Sequence, residues 1–298
     1  MPLPLHATVL HAPKRNPTLS LKAVLILFWI IFAVATPPVA ASQEQQYTMG
    51  AFPFMPVANI EALFGPLGKE IGKQLGKQLV LVSSGSFEKF SRQLERKAFH
   101  IAFVHPFDYV QVAKPAGYLP VAARSEHLAS YFVVKEGSPV KSLSDLKGRV
   151  LGNPPEESTV SILNRITLKA EGLNGGRDVK MSYFKSHMAC MQQLLIGSVD
   201  ACGVSPAIVR LAEQQLQTGF SVFYKSPVIS APLFIVRGDL PRKERESISK
   251  ALLATDLKHV KPELRKMFVP DEAKKPFIPV SDADYDSARQ LLRKRGNR

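Results

Sequence analysis

The residues best suited to chemistry are hydroxyls at a point where a helix is predicted to begin. Ser158 and Thr159 open a helical pattern that runs to Gly172. Side-chain hydroxyls, free backbone N–H groups and the positive end of the helix dipole converge at such a point, which favours a phosphate-like group or a carboxylate. The alternative is that Ser158 is simply the N-cap of its helix. The pattern therefore predicts an anion site here, with helix capping as the competing interpretation.

Two histidines and several serines occupy similar positions. His187 stands at the start of a later predicted helix, and His105 lies just beyond a predicted strand, before Pro106. Each imidazole could donate a hydrogen bond to an anion, although a single histidine is more often structural or merely exposed. Ser205 follows a strand in the same way, and so do the serines of the loop before the second helix: Ser83, Ser84 and Ser86.

Catalytic motifs are missing from the sequence. It has no G-x-S-x-G elbow, H-E-x-x-H pair, Walker loop or G-x-G-x-x-G loop. His105, His127 and His187 lack the spacing of metal ligands, so we expect neither a metal nor a cofactor. The enzyme alternative is a nucleophilic Cys190 with His187 as its base, three residues earlier on one helical turn. We interpret the chain as a binding protein rather than an enzyme.

Cys190 and Cys202 are the only cysteines. Cys190 falls in the first turn of a predicted helix and Cys202 near the end of the next strand. Because the chain reverses between them, the helix start and the strand end lie on the same side, and a disulfide is feasible. Two unpaired, inert thiols are the alternative.

An alternation of short strands and helices must position these residues. Apolar residues at three- and four-residue steps over 57–75 predict an amphipathic helix, and short apolar runs such as 79–82 and 100–104 predict strands. This alternation is typical of an α/β fold with largely parallel sheets. Ligands of such sheets bind at the carboxyl ends of the strands. The loops predicted there are 52–56, 83–86, 104–106, 152–159, 185–188 and 204–206.

The first 41 residues have the pattern of a secretory signal. The charges before Glu44 are Lys14, Arg15 and Lys22, and an unbroken apolar run covers 23–35. Small residues then precede a cleavage point after Ala41. The run is short for a membrane-spanning helix, although an uncleaved anchor is the alternative. No cysteine lies near the cleavage point, so we expect an exported chain without a lipid anchor.

The composition is that of a basic globular protein. Hydrophobic residues make up 45% and charged residues 21%, with a formal net charge of +14. Loss of the three basic residues of the signal lowers this charge to +11. A basic surface favours anionic partners, although much of the charge is expected to be ordinary solvated surface. Nucleic acid is a poor fit because aromatic and basic residues are not interleaved.

Several segments together resemble a known family. They include HIAFVHPFDYV, SPVKSLSDLKGRVLGNPPEESTVS, SHMACMQQLLIGSVDAC, KSPVISAPLFIVR and FIPVSDADYDSARQLL. In order and spacing they resemble the PhnD-like periplasmic phosphate, phosphite and phosphonate-binding proteins of ABC transporters, over residues 47–292. The resemblance implies a type II periplasmic-binding-protein fold of two α/β lobes. Lobe 1 would comprise 42–129 and 230–298 and lobe 2 would comprise 130–229, with crossings near 123–130 and 227–232.

The resemblance also implies a ligand site. In that family a Ser-Thr pair at one helix start and a histidine at another hold the anion, and these match Ser158, Thr159 and His187. Two family tyrosines are replaced here by Phe87 and by Val104 or His105, and no acidic residue matches near Ser205. Loss of those hydroxyls removes donors that a dianion would use. The expected ligand is therefore phosphite, an apolar phosphonate or another oxyanion.

Two functions follow from this resemblance. The first is a monomeric solute-binding protein that delivers a small anion to an ABC permease by lobe closure. The second is a sensing module of the same fold that reports to a membrane kinase or cyclase. An exported enzyme using Cys190 and His187 is the third hypothesis.

Overall fold

The computed structural model describes residues 46–269 and 275–296. The predicted signal segment and its cleavage point lie outside these residues. None of the helices in the described part is long and apolar enough to cross a membrane.

Eleven strands of the described chain form two sheets. They are β1 (Tyr47–Ala51), β2 (Leu79–Ser83), β3 (Ile101–Val104), β4 (Tyr118–Arg124), β5 (Tyr131–Lys135), β6 (Val150–Asn153), β7 (Lys180–Tyr183), β8 (Ala201–Val204), β9 (Phe220–Lys225), β10 (Leu233–Arg237) and β11 (Phe277–Ile278). The first sheet has the order β11-β4-β10-β3-β1-β2, and the second has the order β7-β6-β8-β5-β9. The chain therefore leaves the first sheet after β4 and returns to it at β10.

Helices connect most of these strands. They are α1 (Val57–Leu75), α2 (Phe87–Glu95), α3 (Pro106–Asp108), α4 (Thr159–Ala170), α5 (His187–Leu195), α6 (Pro206–Leu216), α7 (Arg242–Ala254), α8 (Pro262–Phe268) and α9 (Asp286–Gly296). A π-helical turn, Tyr109–Ala113, continues α3, and 3-10 turns cover Ser144–Leu146 and Asp282–Tyr285. Serine side chains cap α2, α4 and α5 at Ser86, Ser158 and Ser186, which fixes where these helices begin.

The prediction of largely parallel sheets is only half correct. In the first sheet β3, β1 and β2 are parallel, and in the second β7, β6 and β8 are parallel. The strands β10, β4 and β11, and likewise β5 and β9, pair antiparallel. These antiparallel strands include all four that carry the chain between the sheets. They need no crossover helix, so the alternation of helix and strand did not reveal their direction.

Residues 125–130 and 226–232 connect the two sheets, close to the crossings predicted from the sequence. The two connections pair with each other through an antiparallel bridge between Leu128 and Ile229. The Ser130 backbone N–H donates to Ser226 Oγ at 2.8 Å, and the Ser226 backbone N–H donates to the Ser130 carbonyl at 2.8 Å. The two connections therefore form a short two-stranded antiparallel pair between the sheets.

Each sheet has its own apolar core. Around the first sheet, the rings of Phe64, Phe103 and Phe234 lie with centroids 4.9 to 5.3 Å apart. The second sheet packs on one cluster that contains Cys190 and Met191 and on another that contains Leu151 and Leu168. Burial of large side chains at roughly 1.5–3 kcal/mol each is the main stabilising contribution, so the rigid cores can support short polar loops at the strand ends.

Candidate functional site

The topology brings the carboxyl edges of the two sheets together. Strand β4 is antiparallel to β10, which is antiparallel to β3, so β4 leaves its sheet at the edge where β3 ends. In the second sheet β5 begins opposite the end of β8, where Tyr131 pairs with Val204. Both connections therefore run between the edges at which parallel strands end. Phe107, just after β3, packs in one apolar cluster with Ile162 and Leu163 of α4.

Ser158 is the N-cap of α4. Its Oγ accepts a hydrogen bond from the Ser161 backbone N–H at 3.2 Å and lies 3.1 Å from Ser161 Oγ. Ser161 Oγ in turn donates to the Pro154 carbonyl at 3.0 Å. The hydroxyl of Ser158 is therefore engaged within the helix start, which is the capping role considered above. It stabilises the turn that presents the first backbone N–H groups of α4.

Thr159 has a different environment. Its side chain is buried, with 6% of the residue exposed, and its Oγ1 finds no hydrogen-bond partner among the described residues. A buried hydroxyl without a partner is destabilising by about 1–3 kcal/mol. It lies in the first turn of a twelve-residue helix, where the helix dipole favours a negative charge. A ligand oxygen at this point would satisfy the hydroxyl.

His187 opens α5 and contacts the loop after β8. Its Nδ1 accepts a hydrogen bond from the Ser205 backbone N–H at 3.5 Å. Burial lowers the pKa of His187 from 6.5 to about 4, so the imidazole is neutral at neutral pH. With Nδ1 acting as acceptor, the ring proton is carried by Nε2. His187 can therefore donate one hydrogen bond from an uncharged ring.

The helix α5 links the end of β7 to β8, and in doing so it crosses β6, the strand between them. A disulfide joins Cys190 of α5 to Cys202 of β8. The feasible pairing predicted from the sequence is thereby confirmed. Cys190 is fully buried and carries no free thiol, so the catalytic pair of Cys190 and His187 considered above is wrong for this structure.

Phe87 and His105 meet at the edge of the first sheet. Their ring centroids are 6.0 Å apart, and Phe52 lies within 6.0 Å of both rings. His105 Nδ1 accepts from the Asp108 backbone N–H at 3.3 Å, and its Nε2 lies 3.0 Å from Asp108 Oδ2. Burial alone would raise the pKa of Asp108, but His105 and the hydroxyl of Ser91 outweigh it and hold that pKa below its ordinary value. His105 thus approaches Asp108 with both ring nitrogens: Nδ1 through a hydrogen bond, and Nε2 through a close contact with Oδ2, an oxygen that makes no hydrogen bond among the described residues.

The serines of the loop after β2 have separate environments. Ser86 caps α2, because its Oγ accepts from the Lys89 backbone N–H at 3.1 Å. Ser84 donates to Gln93 Oε1. Ser83 Oγ is buried without a partner in the described structure. Of the three serines noted in the sequence, Ser83 is the one whose hydroxyl a ligand could satisfy.

Ser125 was missed by the sequence reasoning. It follows β4 at the start of the first connection, and its Oγ is also buried with no partner in the described part of the chain. The local sequence offered no helix start at this point and therefore no signal. Only the strand order places Ser125 at the same edge as Ser83.

A buried polar network supports the edge of the second sheet. Ser130 Oγ donates to Asn164 Oδ1 at 2.5 Å. Asn164 Nδ2 donates to Asn153 Oδ1 at 2.8 Å and to the Gly203 carbonyl at 3.0 Å. Asn153 ends β6 and Gly203 lies in β8. The side chain of Asn164 therefore holds α4 in a fixed position relative to these two strands and to the first connection.

The six residues expected to bind ligand fall into three pairs: Ser158 with Thr159, His187 with Ser205, and Phe87 with His105. Phe107 and Ile162 pack together and so link the edge that carries His105 to the helix that carries Thr159. In the part of the chain that the structure describes, no group of three or more His, Cys, Asp or Glu side chains is placed to hold a metal ion. The arrangement offers neutral hydrogen-bond donors, which suit an oxyanion.

Comparison with protein families gives one match that covers most of the chain. The family model described as "ABC transporter, phosphonate, periplasmic substrate-binding protein" matches residues 49–285. This stretch contains every residue of the candidate site and both sheets, apart from the first two residues of β1.

Solved structures with the same fold are distant in sequence. PhnD1 from Prochlorococcus marinus, in complex with methylphosphonate, has a TM-score of 0.68 and 18% identity, covering 86% of this chain and 100% of that chain. A binding protein component of an ABC phosphonate transporter from Pseudomonas aeruginosa has a TM-score of 0.67 and 16% identity, covering 84% and 86%. A Xanthomonas citri protein bound to chloride has a TM-score of 0.67 and 16% identity, covering 85% and 99%. These likenesses confirm the predicted type II periplasmic-binding-protein fold.

Proposed function

Because this chain belongs to the family of periplasmic substrate-binding proteins of phosphonate ABC transporters, we propose that it captures a small oxyanion between its two sheets and delivers it to an ABC permease. The family consists of substrate-binding transport proteins rather than enzymes. The proposal concerns the ligand, the residues that hold it and the delivery step.

The observation that carries the proposal is the unpartnered hydroxyl of Thr159. A buried hydroxyl at the start of α4 is costly unless something accepts or donates to it, and nothing in the described chain does. An oxyanion would accept a hydrogen bond from this hydroxyl and further hydrogen bonds from the free backbone N–H groups of the first helical turn. Ser158, engaged as the N-cap, would hold that turn in place.

His187 would supply a second donor. Its Nε2–H is available because Nδ1 accepts from Ser205. A neutral imidazole donates a directed hydrogen bond without adding positive charge to the site. Ser205 would act through its backbone N–H, which donates to Nδ1 and leaves the ring proton on Nε2.

The first sheet would provide the other half of the site. We assign lobe 1 to 42–129 and 230–298 and lobe 2 to 130–229, so that the ligand lies between them. Ser83 and Ser125 would contribute hydroxyls from lobe 1, whereas Phe87 would form an apolar wall and His105 would hold that wall in place through its contacts with Asp108.

The ligand class follows from this division. Neutral donors from both lobes, with the aromatic rings of lobe 1 beside them, suit an oxyanion with a small or apolar substituent. We therefore propose phosphite, methylphosphonate and related apolar phosphonates before aminoalkylphosphonates, since the loop of Ser205 and Pro206 after β8 offers no carboxylate to an ammonium group.

Isothermal titration calorimetry on the full chain tests the proposal. The panel comprises phosphite, methylphosphonate, inorganic phosphate, methanesulfonate and 2-aminoethylphosphonate. We expect heat of binding with at least one of the first three, and weaker or no binding of 2-aminoethylphosphonate. Absence of binding across the panel would contradict the proposed function. Uptake of the bound anion by cells with and without the protein then tests delivery, and unchanged uptake would favour the sensing role.

A further inference from the structure

The disulfide and the imidazole of His187 both make a link between α5 and the end of β8. Cys190 lies three residues after His187, about one turn along α5. Cys202 lies three residues before Ser205, in β8. The disulfide therefore ties α5 to β8 just below the level at which the Ser205 backbone N–H donates to His187 Nδ1.

The hydrogen bond alone is a weak constraint on the ring. Its donor and acceptor are 3.5 Å apart, beyond the usual range for an N–H donor. The helix α5 has only nine residues, and its buried side chains are Cys190, Met191 and Leu194. Apolar packing is not directional. It therefore fixes the position of so short a helix relative to β8 less strictly than a covalent link does.

Strand β6 leaves space for the disulfide at Gly152. Gly152 of β6 lies beneath α5, and a Cβ at this position would stand 2.7 Å from Cys190 Sγ and 3.0 Å from Cys202 Sγ. Both cysteines are fully buried. The absence of a side chain at Gly152 lets the two sulfurs rest on the backbone of β6, the strand that leads to Ser158 and Thr159.

We propose that the Cys190–Cys202 disulfide is a positioning element of the anion site: it fixes α5 against β8 and β6, so that His187 Nε2–H stays directed at the ligand bound by Thr159. This inference rests on the proposed function. It assigns to the disulfide a role in affinity in addition to its contribution to stability, and Gly152 is part of the same device.

A double-mutant cycle separates positioning from stability. The variant C190A/C202A is compared with the wild type by calorimetry with methylphosphonate, and the comparison is repeated in a His187→Ala background. We expect the cysteine changes to weaken binding about tenfold when His187 is present, the effect of one hydrogen bond to a charged group. In the His187→Ala background we expect a change of less than about twofold, because the group being positioned is gone. Equal losses in both backgrounds would overturn the proposal.

Melting temperatures provide the matched readout. Loss of the disulfide should lower the melting temperature in both backgrounds, since the covalent link constrains the unfolded chain whether or not His187 is present. If the disulfide were purely structural, its loss would still lower the melting temperature in both backgrounds. It would not weaken binding selectively in the background that retains His187.

The variant Gly152→Ala tests the same device with the disulfide intact, and it serves if C190A/C202A does not fold. Its Cβ must displace the sulfurs, so binding of methylphosphonate should weaken while Gly65→Ala leaves it unchanged. Gly65 is a suitable control because nothing lies within 4 Å of its added Cβ. Unchanged affinity for Gly152→Ala would count against the proposal.

Nitrogen NMR of the ligand-free protein makes the test independent of the ligand. We expect wild-type His187 to show one neutral form with its proton on Nε2, and C190A/C202A to show exchange between tautomers. A wild-type signal in the variant would contradict positioning. Failure of the wild type to bind any anion would contradict the proposed function instead.

Discussion

Thr159 and Thr167 lie on the same helix, α4, and both hydroxyls are buried without a partner in the described chain. Thr159 is in the first turn, at the edge where the two sheets meet, whereas Thr167 is in the last third of the helix. The two residues have the same chemistry and similar burial, with 6% and 2% exposed. They differ in their distance from the candidate site, so they form a natural test pair.

We expect Thr159→Val to weaken anion binding by about 1–3 kcal/mol, because it removes one donor to a charged group while preserving shape. The free energy of unfolding without ligand should be unchanged or slightly higher, since an unsatisfied hydroxyl is removed. Thr167→Val should share the effect on unfolding and leave binding intact. Calorimetry and chemical denaturation measure both quantities. Equal affinities for the two variants would show that the helix start is not the anion site.

His187 should make stability depend on pH. Its pKa is about 4 in the folded protein and 6.5 ordinarily, so the unfolded chain takes up a proton first as pH falls. We expect the wild type to lose about 2–3 kcal/mol of unfolding free energy from this group between pH 6.5 and pH 4. His187→Gln should lose correspondingly less over the same range in urea titrations. Parallel pH profiles for the two proteins would mean that the ring is not held neutral.

Asp108 should also make stability fall with pH, but in a lower pH range than His187. Its folded pKa lies below its ordinary value, so its stabilising effect is present above about pH 4 and is lost as pH falls through the folded pKa. Asp108→Asn should lower the unfolding free energy by about 1–3 kcal/mol at pH 7, because it removes a charged partner of His105. The deficit should shrink as the pH is lowered below 4. A deficit that is constant down to pH 2 would rule out a charge effect.

Asn164 and Gly203 should be energetically coupled. The Asn164 side chain occupies the space that a Cβ on Gly203 would need. Gly203→Ala should therefore be destabilising by about 1–3 kcal/mol through overpacking. In an Asn164→Ala background the space is free, so the additional cost of Gly203→Ala should be much smaller. Denaturant unfolding of the four proteins measures this coupling, and additive effects would contradict the contact.

The local parts of this structure could be read from the sequence. Ser158 precedes a helix in both the pattern and the structure, and the start of α5 at His187 was equally visible, because capping depends on neighbours within a few residues. The two crossings were located within a few residues by the resemblance. The type II fold was likewise predicted and is confirmed.

The non-local parts could not be read in this way. The contact between His187 and Ser205 exists because α5 crosses β6, which depends on strand order rather than spacing. The engagement of His105 by Asp108 competes with its predicted role as a donor, and only the side-chain geometry reveals it. The unpartnered hydroxyl of Ser125 carries no local signal at all.

The pairing of the two connections has a consequence for how the protein folds and for how it could be altered. Residues 131–225 are an insertion in the first sheet, and Ser130 and Ser226, which flank the insertion, are hydrogen-bonded to each other. Because the two ends of the insertion lie side by side, the host chain does not have to separate its own strands to accommodate it. The inserted segment thus begins and ends at one point of the host, so exchanging it for that of a relative would require matched contacts at this point and at the apolar cluster that Ile162 and Leu163 form with Phe107.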